Sequence, residues 1–128
     1  MDLEAKNLNV PDESPELPLS RAQIVHVGGQ MVIRGELDPG WRWSNVWKPV
    51  FGTPSCEMAH TGLLLEGRIH FEMDDGRELD LGPGDAYSIP SGHDAWVVGE
   101  EVVRTIDWAP APDEATKAAI EAAMADRS

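Results

Sequence analysis

The chain has a single cysteine, Cys56, in 128 residues. One cysteine excludes an intrachain disulfide and the paired-cysteine spacing of structural zinc sites. Positive charge is scarce as well. Ten Lys and Arg face 23 Asp and Glu, a formal net charge of −13. Such a surface repels phosphate backbones and anionic lipid, so neither a nucleic acid nor a membrane is the expected partner. No apolar run approaches the roughly 20 residues of a spanning helix. The opening MDLEAKNLNV lacks the basic and apolar regions of a secretory signal, and the expectation is a cytoplasmic protein. A phosphate loop, a nucleophile elbow and internal repeats are likewise missing. Asp74-Asp75 sits in a turn pattern and does not read as a carboxylate dyad.

What the chain does hold is a dense series of short strands. Residues 63–98 read LLLEGRIHFEMDDGRELDLGPGDAYSIPSGHDAWVV, cut by turns at Asp74-Asp75-Gly76, Gly82-Pro83-Gly84 and Pro90-Ser91-Gly92. Turns this close leave no room for helices and predict an antiparallel barrel or sandwich. In 67–73, Ile69, Phe71 and Met73 alternate with Arg68, His70 and Glu72, the pattern of a half-buried strand. His70 and His26 fall on polar faces and are expected to be solvated. Further strands are predicted over 22–27, 31–37, 41–44, 55–65, 78–81, 85–89, 95–98 and 102–108, with 45–54 a loop. About eight or nine strands place the fold in the jelly-roll range. Residues 1–20, spaced by Pro11, Pro15 and Pro18, predict an extended arm. Residues 21–109 form the barrel domain. Residues 110–128 open with Pro112-Asp113-Glu114, run into ATKAAIEAAMA, and predict a short C-terminal helix.

The stretch Gly84-Asp85-Ala86-Tyr87-Ser88-Ile89-Pro90-Ser91-Gly92 is similar to the second motif of the cupin superfamily: Gly, five residues, Pro, one residue, Gly. Leu64-Leu65-Glu66-Gly67 resembles the end of the first. The short spacing between Gly67 and Gly84 is like that of small single-domain bacterial cupins. The resemblance implies an all-β fold, the cupin double-stranded β-helix or jelly-roll barrel. It also implies a divalent metal held by two His and a Glu from the first motif and one His from the second. Those four positions fall here on Pro54, Cys56, His60 and Ala95, so the usual ligands are replaced.

The replacements are themselves capable of binding metal. Cys56 and His60 share strand parity, and His93 shares that of Ala95, so all three can face inward. Cys, His and His with an open position is an arrangement of catalytic zinc sites, and these donors suit Zn, Fe or Cu better than Mg or Ca. The competing reading is a metal-free pocket in which a cysteine and two histidines are wall residues. Asp94 could orient His93 or hold the Ser91-Gly92 turn. Five tryptophans are the other signal. Trp41 and Trp43 share a face and Trp47 lies beside them, where they could wall a ligand pocket with His60 and His93 or serve core and dimer packing. Trp96 and Trp108 read as strand packing.

Two functions compete. One is a small metallo-cupin enzyme acting on a small organic molecule, with dioxygenase, isomerase or decarboxylase chemistry implied by the resemblance. The other is a non-catalytic module that binds or senses a small ligand. Under either, the resemblance implies a homodimer, with residues 1–20 suited to exchange between subunits.

Overall fold

The computed structural model describes residues 3–55 and 59–110. Within them lie β1 (Glu16–Leu17), β2 (Ser20–Val27), β3 (Gln30–Leu37), α1 (Trp43–Val46), α2 (Lys48–Phe51), β4 (His60–Glu66), β5 (Ile69–Met73), β6 (Glu78–Leu81), β7 (Ala86–Ile89), β8 (His93–Val97) and β9 (Val103–Pro110). Six strands form one sheet in the order β1-β2-β3-β9-β4-β7, and three form a second in the order β6-β5-β8. Every pairing is antiparallel. This is the all-β jelly roll expected from the turn spacing. The predicted C-terminal helix lies outside the described residues. No helix among the described residues is long and apolar enough to cross a membrane.

Inward faces follow from strand parity. Leu64 and Val103 are fully buried, and Ile69, Phe71, Leu81, Tyr87, Ile89, Ala95 and Val97 pack with them between the sheets. The chain crosses from one sheet to the other at Gly67, with φ at +81°. A Cβ there would stand 2.7 Å from the Val102 carbonyl oxygen. A left-handed φ and backbone at that range both require glycine.

The arm lies along its own chain. Asp12 N–H donates to the Ile24 carbonyl and Ile24 N–H to that of Glu13, each at 2.8 Å. Beyond them β1 pairs with β2. The free edge of β2 is thereby covered, which removes a template for pairing with other chains. His26 sits beneath this arm, with Nε2 2.9 Å from Glu13.

Residues 41–54 depart from the sequence expectation of a strand followed by a loop. Arg42 makes one isolated bridge to Trp96, and the chain then coils into α1 and α2. The reason is Asp94. Its carboxylate accepts from the Ser44 N–H at 3.1 Å, the Ser44 hydroxyl at 2.9 Å and Arg42 Nε at 3.0 Å. These contacts satisfy a first-turn amide that a strand partner would otherwise take. Asp94 therefore neither orients His93 nor holds the Ser91-Gly92 turn, the two roles its position suggested.

Candidate functional site

His60 opens β4 in the large sheet and His93 opens β8 in the small one. Their rings meet inside the barrel with centroids 5.1 Å apart. His93 is 1 % exposed, and its Nδ1 lies 2.8 Å from the Pro90 carbonyl oxygen. A carbonyl only accepts, so Nδ1 carries the proton and Nε2 keeps its lone pair. Burial, reinforced by repulsion from His93, lowers the His60 pKa to about 4. Burial also lowers that of His93. Near pH 7 both imidazoles are neutral, the form that binds metals.

Cys56, the third expected ligand, lies outside the described residues. Among the described residues no group of three or more His, Cys, Asp or Glu is placed to hold a metal. Ala95, at the position where the resemblance implies a histidine, is buried in the core. Their neutral form and the backbone carbonyl on His93 Nδ1 are features that metal-binding histidines share.

Trp41 and Trp43 are buried, 4 % and 3 % exposed, and belong to the core cluster. Their Nε1 atoms have no hydrogen-bond partner among the described residues. Trp47 is half-buried. Its ring meets that of Trp41 edge-on at 5.5 Å, and its Nε1 donates to Ser20 Oγ at 2.9 Å. Packing thus accounts for the apolar bodies of Trp41 and Trp43 but leaves two buried donors unmatched, an uncommon state for a buried N–H.

A second polar centre went unnoticed in the sequence. Tyr87 on β7 donates its hydroxyl proton to Asp107 Oδ1 on β9. The two strands flank β4, where Gly62 pairs with both residues. A Cβ on Gly62 would lie 2.1 Å from Asp107 Oδ1 and 2.9 Å from the Tyr87 hydroxyl. The missing side chain is what lets the pair meet across β4. Burial raises the Asp107 pKa to about 6, against the bond from Tyr87, and drives that of Tyr87 strongly upward. A glycine within an apolar strand and a lone acid between Ile106 and Trp108 were the available signals.

Ring contacts join the two centres. Phe71 lies 5.4 Å from His93 and 6.3 Å from Tyr87, centroid to centroid. Gly62 and His60 share the inward parity of β4. Phe71 also walls a groove of about 150 Å³ at the seam between the sheets, together with Met73, Arg77, Glu78, Leu79 and Ile89; neither the histidine pair nor the Tyr87–Asp107 pair lines it.

The outward histidine differs from its expectation. His70 faces away from the core, but its side chain is only 15 % exposed. It is bonded to Asp80 and Glu78 and stacked 4.6 Å from Trp96, over which Arg42 sits at 4.3 Å. The carboxylate of Asp80, helped by that of Glu78, raises its pKa. Trp96 is thus part of a surface stack, while Trp108 is 43 % exposed.

No family model matches the sequence. No curated protein matches it. Solved structures do resemble the fold. The polyketide cyclase RemF from Streptomyces resistomycificus is 21 % identical at a TM-score of 0.57, over 85 % of this chain and 80 % of its own. A cupin-2 domain protein from Rhodospirillum rubrum is 20 % identical at 0.55, over 94 % and 80 %. A sugar phosphate isomerase of the cupin superfamily from Silicibacter pomeroyi is 14 % identical at 0.59, over 85 % and 76 %. At these identities the likeness speaks for the fold.

Proposed function

We propose that this small single-domain cupin is a metal-assisted enzyme acting on a small organic molecule bound inside the barrel, with His60 and His93 as two of the metal's ligands. One observation carries the reading. Two neutral imidazoles, each from a different sheet, meet at 5.1 Å in the interior. Two neutral imidazoles brought together by different sheets offer the donor type that divalent transition metals take. Cys56 is proposed as the third ligand, on its spacing from His60 in the sequence. When bound, the metal supplies a Lewis acid that polarises a substrate oxygen.

The remaining work falls to the chain itself. The Pro90 carbonyl keeps the His93 proton on Nδ1 and so keeps Nε2 available inside. Phe71, which packs against the His93 ring at 5.4 Å, keeps water from that side of the pair. The two unmatched indole N–H groups are donors for an acceptor atom on the substrate. Dioxygenase, isomerase and decarboxylase chemistry all use such a site.

Elemental analysis of protein purified without added metal tests the reading. A substantial fraction of an equivalent of Zn, Fe or Cu is expected, with most of it lost in His60→Ala and His93→Ala. Near-zero metal in all three proteins, with no uptake on zinc titration, refutes it. A non-catalytic binding module is the second reading. The observation in its favour is that only two described side chains converge as ligands. Ligand-induced stabilisation without metal or turnover distinguishes it.

A further inference from the structure

We propose that Asp74 is a positioning residue for the histidine pair: just past the end of β5, it ties the turn that carries His93 to the segment that leads into β4 and His60. This rests on the reading that the pair is the functional site.

The first argument is the place of the turn. His60 pairs with Ile89 across β4 and β7, and His93 opens β8. Only Pro90, Ser91 and Gly92 carry the chain from Ile89 to His93, and so from the large sheet to the small one. The setting of these three residues therefore sets how the two rings meet at 5.1 Å. The turn is held at both ends. The Pro90 carbonyl oxygen lies 2.8 Å from His93 Nδ1. The Gly92 carbonyl accepts from the Asp74 N–H at 2.8 Å, one step beyond the pairing of Met73 with His93.

The second argument is the Asp74 side chain. Its Oδ2 accepts from the Ser55 hydroxyl at 2.8 Å. Ser55 lies five positions before His60, and its own carbonyl accepts from Thr53 Oγ1 at 2.8 Å. One residue thus grips the turn before His93 by its backbone and the segment before His60 by its carboxylate. The fit is close. Gly92 has φ at +88°, and a Cβ there would stand 3.1 Å from Asp74 Oδ2. Glycine at 92 serves both the left-handed turn and the approach of the carboxylate.

The third argument is that the hairpin does not use this carboxylate. The turn after β5 is closed by its backbone, with the Met73 N–H on the Arg77 carbonyl at 2.7 Å and the Gly76 N–H on that of Met73 at 2.9 Å. The side chain that bonds back to the Arg77 N–H, and also pairs with its guanidinium, is Asp75. Among the described residues the Asp74 carboxylate hydrogen-bonds to Ser55 alone. Its use is the link between the two segments.

The test measures zinc affinity by competition with a chelating indicator, and the visible spectrum of cobalt-loaded protein, in wild type and variants. Asp74→Ala and Ser55→Ala should each weaken zinc about tenfold, the lower end for groups that orient metal ligands, and alter the cobalt bands. The double variant should lose no more than either alone, because both remove one link. Asp74→Asn keeps an oxygen for the Ser55 hydroxyl and should stay within about twofold of wild type. Asp75→Ala should bind zinc as wild type does. Asp74 is exposed, so urea midpoints of the zinc-free proteins should barely move. Ser55→Ala lies outside the hairpin and carries the test if Asp74→Ala folds poorly. The proposal is overturned if Asp74→Ala and Ser55→Ala match wild type in affinity and cobalt bands, if their losses add, or if Asp75→Ala loses as much. It is also overturned if Asp74→Asn loses as much as Asp74→Ala, since charge would then be the cause. Any of these results with zinc bound by the wild type leaves the metal reading intact. A wild type that takes up no zinc removes the metal reading, and the His93 Nδ1 proton in NMR spectra then decides. Faster exchange of that proton with water in Asp74→Ala keeps the proposal, and unchanged exchange overturns it.

Discussion

At the residue scale, Gly62 and Asp107 depend on each other. A methyl at position 62 would stand 2.4 Å from the Ile106 carbonyl oxygen as well as 2.1 Å from Asp107 Oδ1. Backbone cannot yield as a flexible side chain does, so Gly62→Ala should cost about 1–3 kcal/mol or more, read from the urea midpoint. Asp107→Asn at unchanged Gly62 should leave packing almost intact and alter the pH dependence instead. The folded-state pKa of about 6 lies above the ordinary 3.8. The folded protein therefore holds an extra proton between those values, and this contribution to stability falls as pH rises from about 4 to 6, then levels. The difference in unfolding free energy between wild type and Asp107→Asn should shift by on the order of 2–3 kcal/mol across that window. His60 runs the other way: its lowered pKa adds stability as pH rises from about 4 to 6.5. A flat difference curve for Asp107→Asn would mean that its carboxyl is not held in its acid form by burial.

At the element scale, the segment through α1 is held by Asp94 more than by helix propensity. Three donors from Arg42 and Ser44, and the Ala95 N–H, converge on its carboxylate, while Trp41 and Trp43 pack inward on either side of Arg42. Asp94→Ala should cost about 1–3 kcal/mol and change the tryptophan emission before global unfolding, because the half-buried amide at Ser44 loses its acceptor. Alternation of Trp with polar residues suggested a strand here. That pattern cannot register a carboxylate some fifty positions away, and α1 is too short for a helical period to appear. The arm is a parallel case. Prolines at 11, 15 and 18 marked it as extended, but only the register of Glu13 against Ile24 shows that it covers β2 of its own chain. Deleting residues 1–15 should uncover that edge and produce concentration-dependent association, visible by light scattering. Unchanged monodispersity would mean that β2 needs no cover.

At the scale of the whole molecule, the two sheets bring together groups that no local window contains. His60 and His93 are 33 positions apart, and Tyr87 and Asp107 are 20 apart. If His60 and His93 hold a metal, zinc at a hundredfold excess over its dissociation constant should add about 2.7 kcal/mol to the unfolding free energy, and a chelator should remove it. The same addition to His93→Ala should do far less. Equal stabilisation of both proteins would place the metal elsewhere. Among the described residues, acids on the outer faces such as Glu36, Asp38, Glu66 and Asp75 pair with arginines.

Much of the architecture is local and was legible from the residues alone. Turn chemistry at Asp75-Gly76, Gly84 and Gly92, period-two alternation in β5 and the spacing of Gly67, Gly84 and Pro90 depend on near neighbours, and they determine short antiparallel strands in a jelly roll. Parity likewise allowed His60 and His93 to face the interior. What only the tertiary structure decided is which interior groups meet. Facing pairs across a barrel depend on register and on curvature between strands distant in sequence, and neither leaves a periodic trace. That is why the histidine contact could be anticipated as two inward residues but not as a distance. It is also why the Tyr87–Asp107 pair, made possible by one absent side chain at Gly62, stayed hidden until β7, β4 and β9 were seen side by side.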